Sequence, residues 1–234
     1  MLRNPIAQVT WLPFICHNPR VLELGVKILI AYLLGSLLGS LILGRLRGVD
    51  IRSLGSGNAG ATNALRTQGK WLGLLVLAVD IGKGLFVVWW LPTAALPAVG
   101  IDPDLPRAWL TVACGFAVIV GHVYPVWFSF RGGKGVATVV GVIGAVDPRL
   151  LVPLLVSWFI VLVLSGYVGL ASMLSGLVLV AAVYVREPGN VPLLSFCAAV
   201  TAFVIYTHRG NIARMRAGQE SRVRRLWLFR SRAA

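Results

Sequence analysis

Acidic residues are scarce in this chain. Of its 234 residues only 8 are Asp or Glu, against 22 Lys or Arg, which leaves a formal net charge of +14 at pH 7. Three of the acids, Asp102, Asp104 and Asp147, fall in turns between apolar stretches, so a carboxylate cage for a divalent cation is not expected. The three cysteines, Cys16, Cys114 and Cys197, are far apart and make neither a CxxC pair nor a disulfide framework. HExxH and the Gly-x-Ser-x-Gly elbow are absent as well. What replaces them is hydrocarbon: 57% of residues are hydrophobic and the mean hydropathy is +0.82, values of a polytopic membrane protein rather than a soluble globule. A nucleic-acid binder can share the charge balance, but its basic residues do not normally sit between bilayer-length apolar runs. Anionic headgroups and phosphorylated substrates are the expected partners, and nucleic acid is not.

The most concentrated feature is Arg131-Gly132-Gly133-Lys134-Gly135-Val136-Ala137-Thr138, a glycine-rich cationic knot between two apolar stretches. Three glycines in four residues let successive N–H groups converge on an anion beside the charges of Arg131 and Lys134. A helix starting at Val136 aims its unpaired N–H groups at the same point. The knot is not a Walker A loop, since the spacer and the Lys-Ser/Thr ending are missing. Its plainer reading is a cytoplasmic loop with ordinary positive-inside charge.

Hydropathy predicts an all-α fold with about seven membrane helices, one of them short. The expected spans are Val21 to Gly44, Trp71 to Ala95, Trp109 to Phe130, the short Val136 to Val146, Leu150 to Ser165, Tyr167 to Val185 and Val191 to Thr207. Val136 to Val146 amounts to about 16 Å of helix against a core of about 30 Å, so it must be half-inserted or shielded by protein. Gly35, Ser36, Gly39 and Ser40 form a small-residue stripe suited to close helix packing. Glu23 with Lys27, and Asp80 with Lys83, share helix faces; the second pair is either self-satisfied or reaches a site. His122 near a helix end is more simply structural than a base. Residues 1–20, broken by Pro5, Pro13 and Pro19, read as an extension rather than a signal peptide. Residues 21–220 form the membrane domain, and 221–234 a basic amphipathic tail for an anionic surface. Seven crossings bring the Arg45–Lys70 connection, the knot and the tail to one side, which the positive-inside rule makes cytoplasmic, with the N-terminus external.

Three motifs then appear in order. Gly55-Ser56-Gly57-Asn58 with Gly60-Ala61-Thr62-Asn63 and Arg66 is the first, and Gly121-His122, Pro125 and Gly132 to Thr138 the second. His208-Arg209, Asn211-Ile212, Arg214, Gly218 and Glu220 are the third, and Asp80-x-x-Lys83-Gly84 accompanies them. Together they resemble the bacterial acyl-phosphate:glycerol-3-phosphate acyltransferases, over about Gly35 to Glu220. That family usually has a proline where Leu38 stands and a serine where Gly169 stands. No His is followed by Asp five positions later, the pairing of many coenzyme-A-dependent glycerolipid acyltransferases, and the aspartate-rich motif of CDP-alcohol phosphotransferases is missing too.

The resemblance implies transfer of an acyl group from acyl phosphate to the 1-hydroxyl of sn-glycerol 3-phosphate, giving lysophosphatidic acid, in the bacterial inner membrane. It implies no cofactor, no metal and no obligate protein partner. Lys134, Arg66 and the knot amides of Gly132, Gly133 and Gly135 would take phosphates. Ser56 and Asn211 would donate to a carbonyl or hydroxyl. His208 would hold the acceptor phosphate or act as a base, unless a substrate phosphate takes the proton. Gly57, Asn58, Thr62, Asn63, Thr138, Arg214 and Glu220 complete the expected substrate-binding set. The alternatives from the residues alone are a transporter of a phosphorylated metabolite and a basic scaffold for anionic lipids. Few charges lie within spans, which argues against the first, and the Asn, Thr and Ser pattern goes unexplained by the second.

Overall fold

A computed structural model describes residues 19–97, 99–223 and 228. Residues 1–18 of the expected extension and most of the basic tail lie outside the described residues. Within them the secondary structure is helical apart from one isolated bridge between Leu96 and Gly100. A bilayer imposes this economy, because each span must satisfy its backbone internally. The protein is an all-helical, multi-pass membrane protein.

Helices α1 (Pro19–Gly35) and α2 (Gly39–Arg45) replace the expected single first span, bent by 46° at their break. Lys83 holds the break open to its own charge, its Nζ donating to the carbonyls of Gly35 at 2.9 Å and Leu37 at 3.1 Å. The 26-residue connection that follows is not structureless: it contains a 3-10 turn at Ile51–Ser53 and helix α3 (Ala61–Gln68). Helix α4 (Lys70–Trp90) crosses back, and α5 (Arg107–Val123) returns. The expected run to Phe130 stops at Val123 because Pro125 lacks an N–H and biases Tyr124 away from helical angles. A 3-10 turn at Val126–Phe128 leads to Ser129 and Phe130, both left-handed at φ 57° and 58°. Then come α6 (Val136–Val146), α7 (Leu151–Ser165), α8 (Val168–Arg186), α9 (Val191–Thr207) and α10 (Arg209–Arg216).

Among the described residues four stretches are long and apolar enough to cross a membrane: Lys70–Trp90, Arg107–Phe128, Pro148–Ser165 and Val168–Arg186. The bent pairs α1 with α2 and α9 with α10, the latter at 52°, raise that number to as many as six. Length and composition therefore do not fix the expected count of seven. The eleven-residue α6 survives because protein shields it: Val142 and Ile143 are fully buried, and Gly84 of α4 packs on the Thr138 backbone. The small-residue stripe works as expected. Gly35 lies against the Val118 backbone, Gly121 against the Tyr32 carbonyl, and Ser36 and Ser40 are buried. Trp71, Trp89, Phe159 and Val185 face outward, as lipid-facing groups do.

At the end of the bundle opposite the knot, Glu23 and Lys27 are fully buried and paired at 2.8 Å. Arg107 reaches the same carboxylate, its Nη2 3.0 Å from Oε2, and the Asp102 amide donates to it at 2.8 Å. This cluster ties α1 and α5 to the 91–106 connection.

Candidate active site

Three segments separated in the chain meet at the knot end, and the joins are specific. Asn63 organises the first. Its Nδ2 donates to the carbonyls of Ile51, Leu54 and Asn58 at 2.9–3.0 Å, and its Oδ1 accepts from the Ser56 amide at 3.0 Å. Ser40 anchors the same loop through the Ala59 carbonyl at 3.0 Å. Arg52, held by Asp50, donates to the carbonyls of Phe128 and Arg131, both at 3.1 Å, and so staples the loop to the knot.

The knot is pinned from beneath. The Gly132 amide donates to the Val123 carbonyl and the Gly133 amide to the His122 carbonyl, each at 3.1 Å. A Cβ on Gly132 would collide with the His122 carbonyl oxygen, and one on Gly133 with His122 Nε2. Gly135 turns the chain with φ 84° into the first turn of α6. The expectation that the amides of Gly132 and Gly133 grip phosphate is thus corrected: both are already spent on the end of α5. Gly135, Val136 and Ala137 reach the cavity instead.

Lys134 points away from the pinned side. Its Nζ donates to Asn211 Oδ1, and its carbonyl accepts from Thr207 at 3.3 Å. Asn211 Nδ2 donates to Glu220 Oε1 at 2.6 Å, and Arg214 Nε to Glu220 Oε2 at 2.7 Å. Burial, reinforced by Arg214 and opposed by Glu220, lowers the Lys134 pKa to about 8. His208 Nδ1 lies 2.8 Å from the Val204 carbonyl. A carbonyl only accepts, so Nδ1 carries the proton and the neutral ring keeps a lone pair at Nε2.

These groups form the mouth of a cavity of about 500 Å3. Of the expected site residues, Ser56, Asn58, Thr62, Arg66, Lys134, Gly135, His208, Asn211 and Glu220 line it. Its interior runs among α4, α6, α7, α8 and α9 past Leu77, Val139, Leu154, Trp158, Leu179 and Val200. The hydroxyls there are turned onto backbone: Ser172 to the Val168 carbonyl at 2.9 Å, Ser175 to Ser172 at 3.2 Å and Thr201 to Gly176 at 3.0 Å. The result is a polar head and an apolar body, the shape of a lipid with a charged headgroup.

A family model described as glycerol-3-phosphate acyltransferase matches residues 26–218. The chain belongs to the glycerol-3-phosphate acyltransferase family. A Bacillus velezensis glycerol-3-phosphate acyltransferase is 42% identical over 194 residues, covering 82% of this chain and 93% of its own. One from Aquifex aeolicus is 39% identical over 196 residues, with 83% and 96% covered. The fold is similar to the crystal structure of PlsY, an integral membrane glycerol 3-phosphate acyltransferase, in its glycerol 3-phosphate form. That match has a TM-score of 0.74 at 38% identity and covers 85% of this chain and 94% of that one. The lysophosphatidic acid form of the same enzyme matches with a TM-score of 0.72 at 37% identity.

Within this family member, six of the expected binding residues do not line the cavity: Gly57, Asn63, Gly132, Gly133, Thr138 and Arg214. Asn63 shapes the first loop, Gly132 and Gly133 pin the knot, and Arg214 orients Glu220. Thr138 is fully buried, with its backbone against Gly84 of α4. Conversely Asp80, His122 and Ser221 line the cavity without having been counted in it. For Asp80 the signal was present, because an ionisable group inside a span is a functional hypothesis by default.

Proposed function

We propose that the protein transfers a fatty acyl group from acyl phosphate to the 1-hydroxyl of sn-glycerol 3-phosphate, yielding lysophosphatidic acid and phosphate. This is the first step of phospholipid synthesis, carried out at the cytoplasmic face of the bacterial inner membrane. The observation that carries the reading is Lys134, half-buried and tied through Asn211 to Glu220 at the head of an apolar cavity. A fatty tail fits the body of that cavity, and the cationic head suits the phosphates of both substrates.

An acyl phosphate is a mixed anhydride, so its carbonyl carbon is already activated. The acceptor oxygen forms a bond to that carbon, and the acyl–oxygen–phosphorus link breaks with its electron pair leaving on phosphate. The hydroxyl proton goes to the departing phosphate or to Nε2 of His208. Lys134, Arg66 and the amides from Gly135 to Ala137 balance the anionic charge. Ser56 and Asn211 stand at the mouth as donors, and Asn58, Thr62 and Glu220 shape it. The direct transfer needs no acyl-enzyme, and none of these groups needs a cofactor or metal to act.

The test is phosphate release from synthetic acyl phosphate by purified protein, with and without glycerol 3-phosphate, and with acyl-coenzyme A as rival donor. Release that depends on the acceptor, with little turnover of the thioester, is the expected result. Equal turnover of the thioester, or stoichiometric acyl label retained on denatured polypeptide, would overturn the donor or the single displacement respectively.

A further inference from the structure

Asp80 stands on α4 about 15 Å along the helix from its start at Lys70, and it is 1% exposed. Its two carboxylate oxygens have different surroundings. Oδ1 is 3.1 Å from Lys83 Nζ and 3.4 Å from His122 Nδ1, and the Gly39 amide approaches it at 3.5 Å. Oδ2 is buried and accepts no hydrogen bond among the described residues. A buried carboxylate oxygen without a donor is costly, and native structures rarely leave one so. Lys83 has no spare reach toward Oδ2, being committed to the Gly35 and Leu37 carbonyls as well.

Two placements say where the missing donor comes from. Asp80 and His122 both line the cavity. His122 also packs on Gly133, next in the chain to Lys134, so Asp80 is one side chain away from the knot that presents the site's ammonium. A phosphate oxygen is excluded as partner by like charge. A hydroxyl is the group that can donate to a carboxylate here without bringing a charge.

We propose that Asp80 Oδ2 accepts a hydrogen bond from the 2-hydroxyl of the polyol phosphate acceptor and so reads its glycerol part. The inference rests on the cavity holding glycerol 3-phosphate, as argued above. The 2-hydroxyl is assigned, not the reacting one, because the reacting hydroxyl gives its proton to the departing phosphate or to Nε2 of His208. The reacting hydroxyl must also face the acyl carbon. A site built around a substrate hydroxyl rejects analogues without it, since the buried acceptor is then left unpaired.

The experiment measures equilibrium binding of glycerol 3-phosphate and of 1,3-propanediol monophosphate, which lacks the 2-hydroxyl. The full chain is used in detergent, with no acyl donor present. Wild-type protein should prefer glycerol 3-phosphate by about 10- to 100-fold, the range for a hydrogen bond to a charged group. In Asp80→Asn an amide oxygen retained by Lys83 puts NH2 where Oδ2 stood, a donor replacing an acceptor. Asp80→Glu keeps the charge for Lys83, and with it the fold, but displaces the oxygen. Both should bring the preference close to one by weakening glycerol 3-phosphate alone. A wild-type ratio of one, or a full ratio kept by Asp80→Glu, overturns the assignment while leaving the acceptor reading intact. No binding of glycerol 3-phosphate by wild type overturns both.

Discussion

The two polar ends of the bundle are built from the same kinds of side chain and come out differently. At the end opposite the knot, Arg20, Lys27 and Arg107 face Glu23, Asp102 and Asp104, three cations against three carboxylates. Its centre, Glu23 with Lys27, is fully buried. At the knot end, Arg214 and, through Asn211, Lys134 are tied to the Glu220 carboxylate, while Arg66 bonds Ser221 beside it at the same cavity. A balanced, buried cluster holds helices together. An unbalanced one at a cavity mouth leaves positive charge for an anionic group that the described residues do not themselves supply.

Breaking the balanced end should have the largest effect, and it should fall on stability. Glu23→Ala leaves Lys27 and Arg107 without the carboxylate that they share, with Lys27 fully buried. Loss of one partner from a buried pair costs about 3–5 kcal/mol. Thermal unfolding in detergent should show a melting temperature well below wild type, while turnover per folded molecule at low temperature stays near wild type. A large fall in kcat with unchanged melting temperature would mean the two ends are not separable in this way.

Breaking the unbalanced end should do the reverse. Lys134→Ala should lower kcat/KM by an amount worth about 2–5 kcal/mol, with expression and melting temperature close to wild type. Lys134→Arg should restore it in part, because a planar fork replaces a point charge. The pH profile sharpens the same point. Burial brings the Lys134 pKa down to about 8, so the ammonium is present at neutral pH and lost as pH rises through that value. Phosphate monoesters are already dianionic above about pH 6, so glycerol 3-phosphate does not titrate in that window. The expected kcat/KM is flat below pH 7.5 and falls about tenfold per unit above the Lys134 value. Lys134→Arg should remove that alkaline arm, and an arm that persists in it would belong to another group.

Much of this contrast was legible in the sequence and part of it was not, for a physical reason. Apolar run length and the clustering of basic residues are local properties, so the helices, the short α6 and the convergence of the three glycine-rich basic segments could be read from residue order, while Ser56, His208 and Asn211 are named only through the resemblance. What a given glycine or asparagine does there depends on partners far along the chain. Gly132 and Gly133 carry the same pattern whether their amides face a ligand or the end of α5, and only the His122 and Val123 carbonyls decide it. Asn63 likewise shares its motif with Asn58, yet it spends its amide on three carbonyls and never reaches the cavity. The broken first span was hidden too, because Leu38 takes an extended conformation, φ −89° and ψ 121°, without the proline that would have announced it. The carbonyls at the break are capped instead by Lys83, from another helix.

The smallest expected effect tests how tightly the knot end is assembled. Gly169, at the start of α8, lines the cavity beside Asn211. A Cβ there would lie 3.1 Å from Asn211 Nδ2 and 3.2 Å from Asn211 Cβ, close enough to require a shift of a few tenths of an ångström. The amide that must move is the one joining Lys134 to Glu220. Gly169→Ser adds that Cβ and a hydroxyl able to bond the neighbouring amide, so the push and the new contact oppose each other. Activity should change by less than about fivefold, of the order of one neutral hydrogen bond, with KM for glycerol 3-phosphate moving more than kcat. Gly169→Ala supplies the push without the hydroxyl and should be the weaker enzyme of the two. If the alanine variant equals wild type in both constants, Asn211 has slack. The Lys134–Asn211–Glu220 unit would then be a looser arrangement than the paired charges at the other end of the bundle.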